Sequence, residues 1–141
     1  MRFVMSKIFL LVLIAMFLAA CNQQAGKPQQ QSVLVTAANE TAALARMRAI
    51  AQAEAQYMAM TGGEYGSLDQ LISNKYVNDP SSGKLAGYRF NVQVKPAHFE
   101  ITAVPEKAGV TGTRSFYVDE TNVMRGADKK GAPATASDPE V

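Results

Sequence analysis

Two periodicities of apolar residues divide this chain. Between residues 39 and 60, Leu44, Met47, Ala51, Ala55 and Met58 recur at spacings of three and four, with Ile50 and Tyr57 on the shoulder of the stripe. That spacing predicts an amphipathic helix. Asn39 or Thr36 can cap its start, Gly62-Gly63 ends it, and alanine fills much of the remaining surface, which favours helix and close packing. Ser67-Leu68-Asp69-Gln70 has the form of a capping box, in which the serine accepts the N3 amide and the glutamine reaches back to the cap. It predicts a short helix over Leu68–Asn74, with Leu68, Leu71 and Ile72 turned inwards. Asn78-Asp79-Pro80-Ser81-Ser82-Gly83 is a turn cluster, and it separates this helical half from the rest.

Beyond it the period changes to two. Tyr88, Phe90, Val92 and Val94 alternate with Arg89, Asn91, Gln93 and Lys95, and Phe99, Ile101 and Ala103 alternate with Glu100 and Thr102. These are two half-buried strands, joined as a hairpin through Pro96-Ala97-His98. After a glycine-rich loop over 108–112, Arg114–Asp119 places Phe116 and Val118 on one face. Asp119–Asn122 then turns the chain into Val123-Met124-Arg125, and Asn122 suits the left-handed position of such a turn. A sheet with one apolar face needs a cover, and the long helix supplies it. The expected fold is therefore α+β, a long N-terminal amphipathic helix on a three- to four-stranded antiparallel sheet.

The first 20 residues follow a different pattern. Arg2 and Lys7 precede the unbroken apolar run Ile8–Ala20, which is 13 residues long. This is the layout of a signal peptide, and the run falls short of the roughly 20 residues that span a bilayer as a helix. Leu18-Ala19-Ala20-Cys21 resembles the lipobox of bacterial lipoproteins. The resemblance implies a diacylglyceryl thioether on Cys21, the only cysteine, and removal of residues 1–20. Two or more acyl chains make membrane attachment stable. Membrane lipid, held through acylated Cys21, is thus the first partner expected. Asn22 is unlike the inner-membrane retention signal of enteric bacteria, which points to the periplasmic face of the outer membrane in a Gram-negative cell.

The expected organisation is a leader over 1–20, lipidated Cys21 with a polar, flexible tether over 21–32, a folded domain over 33–125, and a disordered tail over 126–141, rich in glycine, alanine, proline and charge. Cleavage would remove two of the 14 basic residues and none of the 12 acidic ones, leaving 12 of each. No basic stripe remains of the kind that binds nucleic acid, so none is expected as a partner.

From Gly87 onwards the chain carries Gly87-Tyr88-Arg89-Phe90, Phe99 with Ala103-Val104-Pro105, Gly112-Thr113-Arg114-Ser115-Phe116, and Asp119 to Arg125. Together with Ala53-Glu54 and Tyr57 on the helix, and Tyr65 to Leu71 beyond it, this resembles the globular domain of type IV pilins and type II secretion pseudopilins. The resemblance covers about residues 40–126 and implies a pilin-like domain acting through protein contacts in a pilus or secretion apparatus. The chain departs from that family at its start. Pilins carry Gly-Phe-Thr-Leu-Ile-Glu and a continuous hydrophobic helix, whereas here the lipobox and a polar tether stand in that place. The alternative expectation is a periplasmic binding or hydrolase-inhibiting lipoprotein.

Candidate chemistry is sparse. Nucleophilic catalysis needs an activated serine, threonine or cysteine beside a base. Cys21 is expected to be acylated, and the lone His98 falls in a hairpin turn, where exposure is the expected state. One histidine without a free cysteine cannot build a His/Cys metal site within one chain. Glu54, Glu64, Asp69 and Glu100 are carboxylates whose spacing singles out no acid–base pair. Asp119, Glu120 and Asn122 offer loop oxygens to Ca²⁺ but form no EF-hand. Gly109–Gly112 lacks the Gly-Lys-Ser/Thr ending of a phosphate loop. Met47, Met58 and Met60 read as core filler rather than copper ligands. No catalytic residue, metal or cofactor is expected, and the function expected is non-catalytic.

Overall fold

The structure, a computed structural model, describes residues 28–78 and 84–141. Helix α1 spans Pro28–Thr61, and α2 spans Leu68–Ser73. Five strands follow: β1 (Lys84–Leu85), β2 (Tyr88–Lys95), β3 (His98–Pro105), β4 (Ser115–Asp119) and β5 (Arg125–Ala127). They form one antiparallel meander in sequence order. The architecture is α+β. The sheet has one strand more than the upper expectation, because the two-residue β1 carries no alternation for a pattern to register.

Helix α1 begins well before the expected residue 39. Its 34 residues extend roughly 50 Å at 1.5 Å per residue. The tether expected over 21–32 is corrected over 28–32, which is helical; residues 21–27 and the leader, Cys21 included, lie outside the described residues. Pro28 suits the first helical turn, where its missing N–H is not needed, and glutamine and alanine then favour helix. Gln30 to Val35 are all exposed, so no buried apolar stripe marks these turns. Thr36 and Asn39 consequently sit inside the helix and do not cap it. The C-terminus is as expected: Gly62 takes φ +82° and the Gly63 N–H bonds back to the Met58 carbonyl at 2.9 Å, a Schellman closure.

The face α1 buries is rotated from the expected stripe. Ala43, Met47, Ile50, Ala51, Ala53 and Glu54 are buried, whereas Ala55 is exposed. Of the three methionines read as core filler only Met47 is fully buried, and Met60 at the last turn is 76% exposed. Against this stripe packs one face of the sheet: Tyr88, Phe90, Phe99, Ile101, Ala103, Phe116 and Val118. The register pairs Phe90 with Ala103, Val92 with Ile101, and Ala103 with Phe116, so like faces coincide. Edge-to-face aromatic contacts, Tyr65 on Phe99 at 4.9 Å and Tyr57 on Tyr76 at 5.8 Å, seal the end near α2. The capping box of α2 forms as expected, with Ser67 Oγ accepting Gln70 N–H and Gln70 Oε1 accepting Ser67 N–H.

The tail expected to be disordered over 126–141 is corrected. Gly126 and Ala127 complete β5, displacing the strand expected at Val123–Arg125 towards the C-terminus. The chain then folds back on that strand: Gly126 N–H donates to Pro139 O at 2.9 Å and Val141 N–H to Met124 O at 3.1 Å. Asp138 ties the return together, accepting from Thr135 N–H at 2.7 Å and Lys129 Nζ at 3.1 Å. Ala134 is buried, as are Ser115 and Tyr117 on the sheet face turned away from α1. Order here comes from backbone hydrogen bonds, the Asp138 carboxylate and the small buried side chain of Ala134, none of which shows as apolar periodicity.

Candidate interaction surface

Helix α1 leaves the core at its N-terminal end. Gln30 to Val35 are all exposed, and within them Val33 is 66%, Leu34 65% and Val35 51% exposed. Thr36 ties the helix to the sheet layer, its hydroxyl donating to Val110 O at 3.2 Å. Asn39 Nδ2 follows, donating to Thr111 O at 2.9 Å. These bonds hold the loop of Val110, itself 63% exposed, against the turn of α1 that follows the exposed valines and leucine. Four large apolar side chains thus share one end of the domain.

The loop that carries Val110 is held by a buried carboxylate. Glu40 accepts the N–H groups of Thr113 and Arg114 at 2.9 and 3.1 Å on one oxygen, and Arg114 Nε at 2.9 Å on the other. Burial on its own would push the Glu40 carboxyl up. The two backbone donors and the Arg114 guanidinium outweigh burial and hold it below its ordinary value. Beneath the loop Tyr88 Oη donates to Arg114 O at 2.7 Å, its own ionisation driven up by burial and then by Glu40. Gly112 lies so close over the Tyr88 ring that a Cβ would collide with the hydroxyl. The Gly109–Gly112 stretch is a closed turn, with Gly109 N–H on Gly112 O at 2.8 Å.

The other candidate groups are dispersed. Glu54 is fully buried on the core face of α1, Glu64 is exposed in the loop after it, and Asp69 is exposed in the first turn of α2. Glu100 lies on the opposite face of the sheet from Glu54. His98 is the first residue of β3 and not the expected exposed turn residue. Its Nε2 meets Glu100 Oε1 at 3.0 Å and its Nδ1 meets Glu120 Oε2 at 2.6 Å. Pro96 and Ala97 alone make the turn, because Lys95 pairs directly with His98. Both ring nitrogens can donate only in the imidazolium, so Glu100 first, and Glu120 with it, raise the His98 pKa.

Asp119, read as a loop ligand for Ca²⁺, spends both oxygens within the turn: Oδ1 accepts from Thr121 N–H at 3.0 Å and Oδ2 from Tyr117 Oη at 3.1 Å. Asn122 takes φ +59°, as its type led us to expect. Among the described residues no three acidic, histidine or cysteine side chains converge as metal ligands. No helix among them is long and apolar enough to cross a membrane.

Glu40 and Glu54 are the buried groups that sequence reasoning missed as members of the core stripe. Their signal was present, since Glu40, Met47 and Glu54 recur every seven residues. No protein-family model matches the chain, and no curated protein matches it significantly.

Proposed function

We propose that this protein is a non-catalytic, lipid-anchored component of the bacterial envelope that works through protein contacts, with the end of α1 and the Val110 loop as its contact surface. The observation that carries this reading is the cluster of Val33, Leu34, Val35 and Val110, each at least half exposed. Consecutive residues of a helix point in directions about 100° apart. Val33, Leu34 and Val35 therefore make that end of α1 apolar around much of its circumference, and exposed apolar surface of that kind favours an interaction site. The pins at Thr36, Asn39 and Glu40 favour it further, because they hold the two parts of the patch in fixed relation and lower the entropy lost on binding. The helix-then-sheet order supports a pilin-like domain, and the lipobox supports attachment at Cys21, with a pilus or secretion apparatus as the setting.

A photo-crosslinking amino acid at Leu34, in cells producing the full chain, tests the reading. Adducts to a pilus or secretion component are expected, and they should vanish when Val33 and Val35 are both replaced by glutamate. Adducts to one soluble hydrolase favour the inhibitor lipoprotein instead. Their absence from every envelope protein overturns the contact surface. Independently, Cys21→Ser should leave an unprocessed precursor without acyl label; normal processing of that variant overturns the anchor.

A further inference from the structure

On the face of the sheet turned away from α1, the C-terminal return closes one side of a cleft of about 410 Å³. Small-molecule sites run to roughly 300–1,000 Å³. The floor of the cleft is two rows of facing residues. Asn91 pairs with Thr102 and Thr102 with Tyr117, and two residues along, Gln93 pairs with Glu100. Side chains alternate across a strand, so these all lie on the side opposite Phe90, Val92 and Ile101, with the rows about 7 Å apart. Residues 133–136 of the return form the wall. Ala134 is buried in it, and Asp138 braces it by accepting the Thr135 N–H at 2.7 Å. The lining comes wholly from β2, β3, β4 and the return, so the cleft belongs to the face of the sheet and not to its edge. Polar side chains on an open sheet face are ordinary; here the return makes that face concave.

The lining is polar, yet it offers no uncompensated charge. Glu100 is the one charged side chain in it, and its Oε1 meets Lys95 Nζ at 3.2 Å and His98 Nε2 at 3.0 Å. The Thr135 hydroxyl is engaged as well, with Ser137 and Asp138. The Asn91 and Gln93 amides and the Thr102 hydroxyl differ from these, since they make no hydrogen bond to another described residue. Each amide holds donors and an acceptor side by side, and the hydroxyl is both at once. An apolar ligand would strip their water and leave them unpaired. A ligand rich in hydroxyls satisfies them, and the apolar wall of Pro133, Ala134 and Ala136 suits the C–H face of a sugar ring.

We propose that this cleft binds a neutral oligosaccharide, with Asn91, Gln93 and Thr102 bonding its hydroxyls and the wall at 133–136 packing on a ring face. A neutral peptide fits less well. Its N–H groups only donate and its C=O groups only accept, so each must meet the correct end of an amide, whereas a hydroxyl can meet either. This site is separate from the exposed end of α1 and stands whether or not that end binds a partner.

The test is NMR of the detergent-solubilised, ¹⁵N-labelled full chain, titrated with cellotetraose and with tetra-N-acetylchitotetraose. Saturable shifts of the Asn91 and Gln93 side-chain amides are expected with at least one of the two. Asn91→Ala and Gln93→Ala should each weaken that binding by about fivefold or more, the loss of one net hydrogen bond. Per-O-methylated cellotetraose keeps the ring faces and removes every hydroxyl donor, so it should not bind; it covers the case in which a variant misfolds. Absence of saturable shifts with both sugars overturns the site, as does binding that both alanine variants leave intact. Equal binding by the methylated sugar overturns recognition through hydroxyls. Equal or tighter binding by tetra-alanine overturns the saccharide in favour of a peptide.

Discussion

The Glu54 carboxylate accepts the Gly66 N–H at 2.9 Å on one oxygen, while its other oxygen is buried with no hydrogen-bond partner. This bond joins the last turns of α1 to the loop that leads into α2. Gly66 is packed so closely by Tyr57 and Leu71 that a Cβ there would crowd both side chains. Burial is the larger influence on this acid, and it lifts the pKa from 4.5 to about 6 against the opposing pull of the Gly66 bond.

Glu54 therefore makes the fold more stable in mild acid. The folded protein holds this proton more tightly than the unfolded chain, so the contribution is complete below pH 4.5 and is lost as pH rises through about 6. The difference is worth about 2 kcal/mol. Urea unfolding at pH 4.5 and pH 7 should show it, and Glu54→Gln should remove this step. An unchanged pH dependence in that variant sinks the assignment.

Glu40 acts in the opposite direction. Its pKa is held down in the fold, so its contribution is present above the unfolded carboxylate pKa and disappears as pH falls through the folded value. Glu40→Ala leaves the N–H groups of Thr113 and Arg114 without their acceptor, a loss of about 2–3 kcal/mol. Hydrogen exchange should show both amides losing protection in that variant, before any change at β2 or β3.

His98 is the only histidine, so its imidazole resonances are unambiguous. Its titration midpoint should lie above 6.5 and fall in Glu100→Gln and, to a smaller extent, in Glu120→Gln. The ion pairs stabilise the fold fully below the unfolded pKa of 6.5 and are lost as pH rises through the folded value. A midpoint at or below 6.5 in the parent protein contradicts the paired geometry.

The C-terminal return should resist proteases. Ala134 is 2% exposed, and Ala134→Leu should cost about 1–3 kcal/mol by overpacking. Limited proteolysis should then cut the variant within residues 128–141, where the parent is protected. Equal cutting of the two would mean the return adds no order.

What was legible in the sequence was local. The Ser67–Gln70 box, the Gly62-Gly63 stop and the Asn122 turn each close within a few residues, so their chemistry is visible in a short window. The β2–β3 hairpin was legible from its alternation, but its register was not, because Pro96-Ala97-His98 reads as the turn and in the fold His98 pairs with Lys95. Glu40 and Glu54 were not, because their acceptor roles depend on Thr113, Arg114 and Gly66, at separations of 73, 74 and 12 residues. A glutamate on an alanine-rich helix otherwise reads as solvated. The early turns of α1 and the tail escaped for a shared reason: neither contributes a large apolar stripe. Of the proposed contact surface, Val33 to Val35 were visible only as residues at the border between tether and domain.

The meander also sets the order in which the molecule can assemble. Each strand pairs with its neighbour in sequence through a short connection, apart from the longer β3–β4 loop, so little chain entropy is spent in zipping the sheet. The ties from Thr36, Asn39 and Glu40 to residues 110–114 span 72 to 74 residues, the longest closures described here. Closing so long a loop costs the most chain entropy, so these ties are expected to form late. The apolar end built by Val33, Leu34, Val35 and Val110 is consequently complete only after the rest of the chain has folded, and a nascent or damaged chain would not yet display it.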